Sequence, residues 1–70
     1  MKFIFRGITL FAYDPDTKMV RFTARKEYVE FNQCKFVPED YALMSQFFMD
    51  VTLSVMGVKT TGQLKDIVVN

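Results

Sequence analysis

The stretch "PEDYALMSQFFMDVTLSVMG", residues 38–57, constrains this chain more than any other feature, because as a helix it has two apolar sides. At 100° per residue, Met44, Phe47, Phe48, Val51 and Val55 fall within one arc of about 100°. Ala42, Met49, Leu53 and Met56 form a second stripe nearly opposite. Ser45 and Thr52 separate the two along one flank, and Gln46, Asp50 and Ser54 along the other. A single sheet covers only one of these stripes, so something else must cover the second or it stays open. In 70 residues, which bury only about 60% of the unfolded chain's surface, no second core is available.

The helix has clear ends. Pro38 loses no bonded amide at a first helical position, Glu39 and Asp40 set negative charge at the positive end of the dipole, and Gly57 is a natural left-handed cap. Beyond it, "TTGQLKDIVV" begins at Thr60 with Gln63 three residues on, the capping-box spacing, and predicts a short second helix from about residue 61. Folded back, that helix lays Leu64, Ile67 and Val68 on the second stripe. The alternative leaves Met49, Leu53 and Met56 exposed for a partner, since methionine's flexible thioether adapts to irregular surfaces.

Upstream, the pattern changes to a period of two. "ITLFAY" and "MVRFTAR" flank "DPDTK". Proline between two aspartates that can bond their own backbone predicts a hairpin loop of three to five residues. Val20, Phe22 and Ala24 alternate with Met19, Arg21, Thr23 and Arg25, giving one apolar and one basic face. In the first strand Phe3 and Phe5 share one parity and Ile8, Leu10 and Ala12 the other. Either a bulge near Gly7 brings both sets onto one face, or Phe3 and Phe5 form a separate extended segment. Residues 27–37, "EYVEFNQCKFV", read as extended, with a phase break at Asn32–Gln33 that implies a bulge or a fourth short strand. Ala, Arg, Lys and Glu at 24–27 keep a helical alternative open. The expected fold is one α+β domain over residues 1–70: an antiparallel meander of three or four strands against the 38–57 helix, with a short C-terminal helix beside it. Phe22, Phe47, Phe48 and Val51 are its expected core.

The chemistry-bearing residues are few. There is no histidine, and Cys34 is the lone cysteine. That removes a disulfide within the chain, the usual zinc ligand sets and the usual general base, and leaves Cys34 an inert thiol among apolar neighbours. Asp14 and Asp16 are explained by the turn, and three isolated glycines make no phosphate loop. No catalytic residue, cofactor or metal is expected, and the chain reads as a non-enzyme. Arg6 interrupts the N-terminal apolar run, which reads as a strand rather than a secretory leader, and 41–56 is too short and polar to span a bilayer. A cytoplasmic protein with no membrane contact is the expectation.

Net charge is +1, with three surplus basic side chains in residues 1–35 and two surplus acidic ones in 36–70. This is weak for a dedicated nucleic-acid binder. If Val20, Phe22 and Ala24 face the helix, the other sheet face carries Phe11, Tyr13, Met19, Arg21, Arg25 and Tyr28. Rings interleaved with arginines can stack bases, though the spacing has no RNP signature; the same face also suits a dimer contact. The leading expectation is a small protein-binding domain acting through Met49, Leu53 and Met56, in the manner of phage or mobile-element accessory proteins that inhibit or modulate a larger host protein. A nucleic-acid-binding module on the sheet face and an oligomeric assembly factor, as a homodimer, are the alternatives.

Overall fold

In the computed structural model the described residues are 1–24 and 36–70; the strand, hairpin or helix expected across 25–35 lies outside them. Strands β1 (Lys2–Phe5), β2 (Ile8–Asp14) and β3 (Met19–Phe22) are followed by helix α1 (Pro38–Val55), a 3₁₀ turn (Thr61–Gln63) and strand β4 (Ile67–Val69). The sheet runs β3-β2-β1-β4. The first three strands form the expected antiparallel meander, while β4 pairs in parallel with β1, Phe3 opposite Ile67 and Phe5 opposite Val69. The architecture is therefore α+β with a mixed sheet.

The C-terminal helix expected from residue 61 is corrected. Its first turn forms, with Gln63 Oε1 accepting the Thr60 N–H at 2.9 Å, but only as a 3₁₀ turn. Ile67, Val68 and Val69 are β-branched and too few to sustain a helix, and the free edge of β1 gives their backbone a ladder. Asp66 anchors the start of that ladder by accepting the Lys2 N–H at 2.7 Å, and Val69 O accepts from Arg6 N–H at 2.7 Å.

The β1–β2 connection is tighter than the sequence suggested. Arg6 (φ 50°) and Gly7 (φ 82°) are both left-handed, as a two-residue type I′ hairpin requires. The bulge lies three residues later. Phe3 pairs with Phe11 and Ile4 with Thr9, so Leu10 has no partner in β1. Two residues then stand opposite one, which shifts the phase of β2: Leu10 before the shift and Tyr13 after it are both buried. Because a Cβ at Gly7 would meet no atom within 4 Å, Gly7→Val tests the turn's backbone alone. It should cost about 1–2 kcal/mol in urea unfolding, and no loss would place the hairpin elsewhere. The second hairpin is as expected: Asp14 faces Met19 across a loop begun by Pro15, and Asp14 Oδ1 accepts the Asp16 N–H at 2.9 Å.

Helix α1 starts at Pro38, where the Asp40 carboxylate accepts the Val37 N–H at 3.0 Å. At its other end Gly57 takes φ 81°, with Gly57 N–H donating to Ser54 O and Val58 N–H to Leu53 O, the double bond of a Schellman cap. Between helix and sheet lie Phe3, Phe5, Leu10, Tyr13, Phe47 and Val51, edged by Phe11, Ala24, Phe36, Met44, Leu64, Ile67 and Val69. Phe47 is fully buried, with Phe3 and Phe11 rings 6.1 and 5.9 Å away. Phe48 and Phe22, expected in the core, are exposed by 42% and 57%.

Candidate interaction surface

The helix is rotated from the expected setting, and polar contacts explain why. Tyr13 Oη donates to Ser54 Oγ at 3.0 Å in the interior. Asp50, also buried, forms an ion pair with Lys59 and accepts from Gln46 Nε2 at 2.9 Å. These bonds draw the flank carrying Asp50 and Ser54 inward, so that the buried residues of α1 are Asp40, Phe47, Asp50, Val51 and Ser54. Val55 and Phe48, expected in the inner stripe, turn toward solvent.

The second stripe consequently lies directly opposite the core. Ala42, Ser45, Met49 and Met56 are exposed, and Leu53 is half-buried. Met49 is 56% and Met56 69% exposed. Leu64 and Ile67 pack against the core between sheet and helix, not against this stripe. The helix that was to cover the stripe is instead strand β4, at the far edge of the sheet.

This surface has a second property that its apolar residues alone do not convey. From Tyr41 to Met56 the chain contains one ionisable carboxylate, Asp50, and that group is buried against Lys59. The outward side of α1 therefore shows no charged side chain over four turns, only Tyr41, Leu43, Phe48, Met49, Val55, Met56 and small or neutral polar residues. Surface helices ordinarily carry charge on their solvent side. Loss of charge with enrichment in aromatic residues and methionine is the composition of an interface centre.

The alternative constellation on the sheet is not brought together. The bulge at Leu10 turns Phe11 and Tyr13 toward the helix, where Phe11 lies against Phe47 and Phe48 and Tyr13 bonds Ser54. Arg21, one residue from Val20 and Phe22, belongs to the opposite side and is exposed. Arg25, Tyr28 and Cys34 lie outside the described residues. What remains near Arg21 is a shallow hollow of about 190 Å³ lined by Ala12, Tyr13, Asp14, Met19 and Arg21, below the usual size of a ligand pocket. Among the described residues no group of three or more metal-ligating side chains occurs, and no helix is long and apolar enough to cross a membrane.

No protein-family model matches the chain, and neither a curated protein nor a solved structure is detectably similar to it. The surface must be read from its own chemistry. Sequence reasoning located Met49, Leu53 and Met56 but missed Tyr41, Phe48 and Val55 beside them. The charge-free run from 41 to 49 was visible in the sequence. The neutralisation of Asp50 was not, because its partner Lys59 lies beyond the helix end.

Proposed function

We propose that this chain is a small non-catalytic protein-binding domain that docks through the outward face of α1 onto another protein and so inhibits or modulates it. The observation that carries this reading is the absence of any exposed charge between Tyr41 and Met56 on a helix whose opposite side already holds the core. Burying side chains such as Met49 and Met56 stabilises a complex by about 1.5–3 kcal/mol each when complete. No buried charge opposes it, since Asp50 is already paired within the chain. The packing of Phe11 and Tyr13 toward the helix gives the nucleic-acid reading on the sheet face less support.

The immobilised chain, exposed to a lysate of its source cell, should retain protein that a Leu53→Asp variant loses and an Arg21→Glu variant keeps. Leu53→Asp is expected to lower affinity at least tenfold while the chain stays folded. Retention that survives Leu53→Asp and fails with Arg21→Glu would move the surface to the sheet. Salt-sensitive binding to heparin would argue for a phosphate-bearing partner instead.

A further inference from the structure

Resting on that reading, we infer that Met49 and Met56 form a reversible oxidation site: hydrogen peroxide converts their thioethers to sulfoxides and so switches off docking through the α1 face without unfolding the chain. The methionines differ in their surroundings. Met1 and Met44 pack partly buried against the core, whereas Met49 is 56% and Met56 69% exposed. Oxidation of a sulfur side chain follows its access to the oxidant, so these two react ahead of Met44. On the stripe opposite the core Ala42 is small and Leu53 half-buried. The large apolar side chains that reach solvent along that stripe are therefore the two thioethers, two helical turns apart on one side.

The chemistry is a two-electron oxygen transfer. A sulfur lone pair attacks one peroxide oxygen, the O–O bond breaks, an S–O bond forms and water leaves. The flexible apolar group becomes a polar hydrogen-bond acceptor, and burying that acceptor in an apolar contact without a donor costs free energy. The reverse step, carried out by a methionine sulfoxide reductase, takes two electrons and two protons from a dithiol, releases the oxygen as water and leaves a disulfide in the reductant. Placement separates a switch from damage. A sulfoxide at Met44 would be forced into the packing between helix and sheet, whereas Met49 and Met56 project away from it. Oxidation at these two positions changes the surface and leaves the interior as it was.

The test treats the whole chain, as Cys34→Ser to remove thiol chemistry, with dilute hydrogen peroxide. Peptide mass spectrometry should find sulfoxide at Met49 and Met56 before Met44. The oxidised chain should keep its urea midpoint, elute earlier from a hydrophobic-interaction column and bind the protein captured by the parent chain about tenfold more weakly or worse. Methionine sulfoxide reductase with a dithiol should restore both properties. Met49→Leu, Met56→Leu should make capture resistant to peroxide, and Met49→Gln, Met56→Gln should lose capture without it. Met19, 53% exposed on strand β3, is the control: Met19→Leu should protect nothing. Unfolding that accompanies the two sulfoxides, or conversion of Met44 as fast as theirs, would overturn the switch. Capture that survives full conversion at Met49 and Met56 would overturn it too, while leaving the binding face standing. A parent chain with no capture that Leu53→Asp removes would overturn both.

Discussion

Phe47→Ala should take away a large part of the chain's stability. The Phe47 side chain is fully buried, with the rings of Phe3, Phe11 and Phe48 each within 6.1 Å. Truncating such a side chain removes its transfer free energy and leaves a cavity, together about 3–5 kcal/mol. A domain of this length has roughly 3.5–10 kcal/mol to lose. Its neighbour behaves differently. Phe48 is 42% exposed and meets the core along one side, against Phe11 and Phe47, so Phe48→Ala should cost about 1–2 kcal/mol. Urea unfolding of both variants checks the setting of the helix: equal losses would mean that it is rotated back toward the arrangement expected from its apolar pattern.

The second large effect is expected at Asp50. Its Oδ1 accepts from both Gln46 and Lys59, in a place where the two charged side chains are only 12% and 26% exposed. Asp50→Ala removes the carboxylate but leaves a half-buried ammonium without its partner. Breaking a buried pair from one side costs about 3–5 kcal/mol; access of water to Lys59 reduces this to about 2–3 kcal/mol. The loop from Gly57 to Lys59 is fastened by the same contact, so its amide protons should exchange faster in the variant. The double variant Asp50→Ala, Lys59→Met should recover most of the lost stability, because it removes both charges together. If the two losses simply add, the pair is not coupled and does not hold the helix in its rotation.

What the sequence made legible was largely local. The Pro15 hairpin, the start of α1 at Pro38 and its end at Gly57 each depend on a few adjacent residues whose backbone preferences agree. The alternation in β3 correctly set Val20 and Phe22 on the helix side and Arg21 on the other, since Val20 pairs with the buried Tyr13 and Phe22 with Phe11. The misreadings involved distant partners. Leu10 shows no mark of a bulge; the register of β1 against β2 places it there. Ser54 and Asp50 were read as a polar flank between the two stripes, but Tyr13 and Lys59, 41 and nine residues away, satisfy them inside. "DIVV" has a capping box behind it and still becomes a strand, because pairing with β1 outweighs a short helix's propensity. The exposed stripe on α1 was legible as a stripe; that nothing in the described chain covers it required the position of β4.

The central claim is that, among the described residues, nothing packs on the side of α1 opposite the core, which we propose is free for a partner. The most direct measurement is the urea unfolding midpoint of the double variant Met49→Lys, Met56→Lys, taken at a concentration low enough that association does not contribute. Surface substitutions remote from packing change stability by within about 0.5 kcal/mol, and the unfolding free energy taken from that midpoint should stay within that range of the parent chain's, with an unchanged far-ultraviolet spectrum. Two lysines forced into a packed interior would instead lose several kcal/mol. A variant that unfolds would show that this stripe is part of the core, and would remove the proposed interaction surface with it.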